Sequence, residues 1–142
     1  MKVLRIALGV VVGAYGLYCL FPLLSNAAYK LGYLHRLTGD AARVVPLWEA
    51  TPWWQLAVWL AVLILFAVAG WRLIRGRSAF RLYAVTIVLD AALWWVFQSS
   101  AAYRQVFTQA ELQLDYYSLG AMLLVGGLIW RVERTPGQTA AA

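Results

Sequence analysis

Residues 80–100 read FRLYAVTIVLDAALWWVFQSS, a run of side chains suited to hydrocarbon with one carboxylate, Asp90, at its midpoint. At 1.5 Å rise per residue such a run is about 30 Å long, the depth of a bilayer core, and Asp90 is about 15 Å from either edge. A side chain that short cannot reach water from there. An acid in lipid is costly whether it is ion-paired or kept neutral by its proton, so Asp90 must have a partner or a task.

Working outward, three further apolar runs of similar length occupy residues 4–24, 53–71 and 114–130. The chain of 142 residues, 63% hydrophobic and 13% charged, is therefore expected to be all-α: one polytopic membrane domain over 1–142, a four-helix bundle with a long outer loop. No room is left for a separate soluble catalytic domain. Lys2 and Arg5, an apolar run and Ser25-Asn26-Ala27-Ala28 also resemble a secretory signal. That run exceeds the usual signal core in length, so an uncleaved first span is expected.

Eight of the 12 basic residues (Lys2, Arg5, Arg72, Arg75, Arg77, Arg81, Arg131 and Arg134) fall on one side of such a bundle. Lys30, Arg36, Arg43 and Arg104 fall on the other. The bias predicts cytoplasmic termini in a bacterial-type inner membrane, and makes the net charge of +6 a topogenic and headgroup-binding feature rather than a nucleic-acid site.

Gly9, Gly13 and Gly16 share a face of span one and should admit a second helix closely. Pro22 is expected near the end of that span, where it does little damage. In the outer loop, about 25–52, Tyr29, Tyr33, Leu34 and Leu37 fall near one helical face and predict a short interfacial helix. Thr38-Gly39-Asp40 reads as a break with a new N-cap. Thr51-Pro52 is expected to cap span two with proline at the first helical position, Ser78 to cap span three, and Thr108 with Glu111 to form a capping box for span four.

Tyr83, Thr86, Asp90, Trp94 and Gln98 follow steps of three and four and form one stripe, expected to face the bundle interior. Tyr15 and Thr86 are the hydrogen-bond partners expected for Asp90. No lysine or arginine lies at that depth, so the carboxyl is expected to keep its proton. Large aromatics crowd the outer half. Trp53, Trp54, Trp71 and Trp130 fit an interfacial belt, but Tyr18, Trp59, Trp94 and Trp95 lie too deep for one.

Other residues suggest little chemistry. Cys19 is the single cysteine and His35 the single histidine, which excludes an intrachain disulfide and argues against a metal or haem site. His35 is expected to be a solvated loop side chain and Cys19 a small buried one. Glu49 and Asp115 are expected to cap or to pair with Arg43 and Arg104. No nucleophile with a base, phosphate loop or carboxylate pair is visible, so no enzymatic activity and no cofactor are expected.

The opening LRIALGVVVGAYGL is similar to the first helix of DoxX-like small four-helix membrane proteins. The similarity covers that one helix and transfers no residue roles.

Two functions fit this pattern. The first is an accessory, assembly or stabilising subunit of a larger membrane complex, partnered by other membrane subunits or by itself, with Asp90 as an interhelical hydrogen-bond knot. The alternative is a small transporter or ligand-binding membrane protein. There, Asp90 would bind a proton or cation at the base of an outward-facing aromatic pocket formed with Tyr15, Tyr18, Trp59, Thr86, Trp94 and Gln98. Such a pocket suits a small cation, a lipid or a quinone-like ring.

Overall fold

A computed structural model describes residues 2–34 and 40–134, with the side chains of residues 40 and 41 left aside. Among these, four long helices, α1 (Lys2–Lys30), α4 (Trp53–Ile74), α5 (Phe80–Ser99) and α7 (Gln109–Arg134), are long and apolar enough to cross a membrane. Three short ones, α2 (Asp40–Arg43), α3 (Val45–Ala50) and α6 (Ala101–Val106), gather at one end. His35, Arg36, Leu37, Thr38 and Gly39 and the tail from Thr135 lie outside the described residues.

The long helices form a ring in the order α1, α4, α5, α7, with α7 returning to α1. The closest approach is between α1 and α4, where glycine meets glycine. A Cβ built on Gly9 would lie 2.7 Å from the Gly70 carbonyl oxygen, and one on Gly70 would lie 2.8 Å from the Gly9 carbonyl oxygen. Gly16 is seated on Phe66 in the same way, with 3.3 Å between the would-be Cβ and the Phe66 Cβ. The glycine face of span one thus has the use expected of it, and its counterpart on α4 is Gly70.

Beside this contact lies the densest packing in the protein, with Val12, Val62, Phe66, Leu73, Tyr83, Thr86 and Ile129 removed from the surface. Tyr83 donates its hydroxyl proton to the Met122 carbonyl at 2.7 Å, tying α5 to α7 inside that core. Thr86 donates to Leu82 on its own helix at 2.8 Å and so is not available to Asp90.

The eight basic residues assigned to one side do share one end of the ring. Arg5 donates to the Gly76 carbonyl in the α4–α5 turn at 2.8 Å. From α7, Glu133 accepts from the Ser78 hydroxyl at 2.8 Å and from the amides of Ala79 and Phe80 at 2.6 and 3.1 Å. A carboxylate reached from more than fifty residues away therefore satisfies the free amides that begin α5, a role local sequence had given to Ser78.

Four other local expectations are corrected. Helix α1 continues past Pro22 to Lys30, so residues 27–30 prolong the span and do not start an interfacial helix. Its stop is a Schellman motif: Gly32 has φ 82°, its amide bonds the Tyr29 carbonyl, and the Tyr33 amide bonds the Ala28 carbonyl. Thr51 is buried and donates back to Leu47 at 2.7 Å, closing α3, while Pro52 takes the N-cap position of α4. The carboxylate pairings also differ. Arg43 pairs with Glu111 at 2.6 Å, Glu49 accepts from Tyr29 and Asp115 from Tyr103, and Arg104 donates to the Ser99 carbonyl. The capping box is present, with the Thr108 amide 2.7 Å from a Glu111 carboxylate oxygen and the Glu111 amide 3.3 Å from the Thr108 hydroxyl.

Candidate functional site

Toward the end that carries the short helices, the ring opens into a cavity of about 420 Å³. Its floor is Asp90 with Tyr15. The Tyr15 hydroxyl donates to Asp90 Oδ2 at 3.2 Å, and the Tyr15 ring stands edge-on to Phe66 of the packed core, 5.2 Å between centroids. Its walls come from all four long helices, with Tyr18, Cys19 and Asn26 on α1, Trp59 on α4, Leu93, Trp94 and Phe97 on α5, and Asp115, Ser118 and Met122 on α7. Leu47 and Trp48 of α3 and Tyr103 of α6 close it above. Rings hold the walls in position. Trp59 meets Phe97 edge-on at 5.4 Å, Trp94 meets Tyr116 at 4.9 Å, and Tyr103 stacks on Phe107 at 4.5 Å.

The lining residues that face the exterior are Tyr18, Phe21 and Pro22 on α1 and Ser118 on α7. The mouth of the cavity is therefore lateral, between those two helices. Pro22 has no amide proton to offer the Tyr18 carbonyl one turn earlier, which leaves backbone polarity along that same edge.

Of the residues singled out from sequence, Asp90, Tyr15, Tyr18, Trp59 and Trp94 are brought together in this cavity. Thr86 lies below it, buried in the packed core, and Gln98 is not among its lining residues. The Gln98 side-chain oxygen accepts from Tyr116 at 3.3 Å, while its nitrogen is buried without a partner. Trp95 points outward and is exposed.

Sequence reasoning missed Asp115, Asn26 and Tyr103. Asp115 lines the cavity and accepts a 2.5 Å hydrogen bond from the Tyr103 hydroxyl. Burial first, and then that hydrogen bond, push the Tyr103 hydroxyl above the usual tyrosine range. Asn26 is buried with its side-chain oxygen unpaired, and the buried indole N–H of Trp94 has the Tyr103 hydroxyl as its near neighbour. The signal for two of these was present as spacing. Tyr15, Cys19, Pro22 and Asn26 follow steps of four, three and four, and Asp115, Ser118 and Met122 follow steps of three and four, so each set shares a face.

The electrostatics are one-signed. Nine aromatic side chains and two carboxylates line the cavity, and no lysine, arginine or histidine does so among the described residues. Such a site offers a guest ring faces, two acid side chains and one unpaired acceptor, on Asn26.

An all-helical chain with four spanning-length apolar helices and a laterally open cavity has the build of a small multi-pass membrane protein. Compared with protein-family models, curated proteins and solved structures, it has no significant match.

Proposed function

We propose that this protein binds a lipophilic organic cation, an amine or quaternary ammonium group on an apolar body, in the aromatic cavity above Asp90. The observation that carries this is the lining, in which two carboxylates and nine aromatic rings face the same space with no basic side chain among them. A cation over a ring face is attracted by the ring quadrupole, and more strongly once both are out of water. The guest would place its charge by Asp90 and Asp115 and its apolar body among Trp59, Trp94 and Phe97. A neutral quinone-like ring offers no charge to the two acids, and an anionic lipid headgroup would meet no basic side chain among the described lining residues.

Below Asp90 the buried side chains of Val12, Phe66, Tyr83 and Ile129 fill the centre of the ring toward the arginine end, which supports binding rather than conduction. No catalytic step is part of this proposal. The accessory-subunit role, expected from small size, the lack of catalytic constellations, the glycine face of span one and the excess of large aromatics, is the second reading, and the lined cavity is what favours binding over it. A stable larger assembly purified in mild detergent would favour that role instead.

The test is quenching of tryptophan fluorescence by tetraphenylphosphonium, with triphenylphosphine oxide as a neutral analogue. Saturable quenching is expected for the cation alone. Asp90→Asn should weaken binding at least about tenfold, the effect of losing roughly one ion contact out of water. Equal binding of the neutral analogue, or unchanged cation binding by a folded Asp90→Asn protein, would overturn the proposal.

A further inference from the structure

A second apolar hollow, about 410 Å³, runs along the outside of the ring between α5 and α7 at the arginine-rich end. We propose that it holds one acyl chain of an anionic phospholipid whose phosphate is bound by Arg81 and Arg134. This site is separate from the cavity above Asp90 and does not depend on what fills it.

The groove is built, not incidental. Its floor is Tyr83, fixed by the 2.7 Å hydrogen bond to the Met122 carbonyl and covered by Gly126, where a Cβ would come within 3.2 Å of the Tyr83 ring. Gly127 beside it leaves the groove open, since a Cβ there would meet nothing within 4 Å. Val88 and Leu123 form exposed rims, so the groove faces the surroundings of the bundle along its length.

Helical spacing carries each wall on toward an arginine. Arg81, Ala84 and Val88 follow steps of three and four on α5, and Leu123, Gly127, Trp130 and Arg134 follow steps of four, three and four on α7, so each arginine continues the face that lines the groove. The Arg134 guanidinium lies over the Trp130 ring, 4.4 Å from its centroid. Arg81 has no hydrogen bond or ion pair among the described residues. The acid at this end, Glu133, already accepts from Ser78 and from the amides of Ala79 and Phe80. Two cations at the mouth of an apolar groove match a phosphate attached to an acyl chain.

The test uses the full-length protein in nanodiscs of equal phosphatidylglycerol and phosphatidylethanolamine, released into mild detergent and weighed by native mass spectrometry. The wild type should retain a phosphatidylglycerol molecule in preference to phosphatidylethanolamine. Arg81→Gln and Arg134→Gln should each lower that preference about fivefold, the effect of one basic residue at an anionic surface. Gly127→Leu, which has room in the fold, should remove one retained lipid. Equal retention of the two lipids by the wild type, an unchanged preference in the double arginine variant, or an unchanged lipid count in Gly127→Leu would overturn the proposal. So would a lipid-free dimer that Gly127→Leu dissociates, since a second copy would then fill the groove.

Discussion

The two halves of the bundle are built from the same four helices and differ in what separates them. At the arginine end, Gly9 and Gly70 bring the α1 and α4 backbones into contact, and Val12, Phe66, Leu73 and Ile129 fill the remaining space with no exposed surface. Toward the other end the contact positions carry Tyr15, Trp59, Trp94 and Phe97, rings too large to let backbones meet, and the helices enclose a cavity floored by an acid. Among the described residues, the polar side chains Tyr83 and Thr86, buried in the packed half, are hydrogen-bonded, whereas the cavity half keeps Asn26 and Gln98 with unpaired atoms. In lipid, where apolar side chains gain little by leaving one membrane environment for another, stability comes from close contact and hydrogen bonding. The packed half supplies stability and the open half leaves both incomplete, which is the condition for receiving a guest.

Substitutions should separate the halves by size and sign. Gly70→Leu should be the largest, lowering stability by about 3 kcal/mol, because the new side chain meets the Gly9 backbone and a backbone cannot rotate away. Thermal unfolding in detergent measures this, and a change below about 1 kcal/mol would mean that the glycine contact does not hold the bundle together. Asn26→Leu should act with the opposite sign, raising stability by about 1 kcal/mol by removing a buried unpaired carbonyl while weakening tetraphenylphosphonium binding. A loss of stability there would show that the Asn26 side chain is satisfied in the free protein and is no part of a binding site.

The smallest effect concerns the lid of the cavity. The folded protein holds the Tyr103 proton more tightly than the unfolded chain does, because of burial and the Asp115 hydrogen bond. That contribution is present in full below the ordinary tyrosine value and is lost as pH rises above about 10. Tyr103→Phe should therefore flatten the alkaline fall in stability, at a cost of about 1 kcal/mol at neutral pH for the lost hydrogen bond. An alkaline profile identical to that of the wild type would separate Tyr103 from Asp115.

Much of the frame was legible because it follows from local periodicity. Four runs of spanning length, the Gly9–Gly13–Gly16 face, the collection of arginines at one end and the Thr108–Glu111 box all depend on neighbours three or four residues apart. The cavity was legible in part. Asp90 with Tyr15, Trp59 and Trp94 could be grouped by depth, but Thr86 was misplaced, since its hydroxyl bonds its own helix a turn away, and so was Gln98, which pairs with Tyr116. Local patterns also failed where the partner is distant in the chain, as when Glu133 replaced Ser78 at the start of α5 and Asp115 turned toward Tyr103 instead of an arginine.

The sequence by itself determined that the chain is helical, how many helices are long and apolar enough to span a bilayer, and that one acid lies at the middle of one of them, because hydropathy and helical spacing act along the chain. Which helices touch, where they part, and that a second acid joins Asp90 in the space between them were decided by tertiary packing. Close approach at one pair of glycines and crowding by rings further along are properties of facing surfaces, and only the assembled bundle brings those surfaces together.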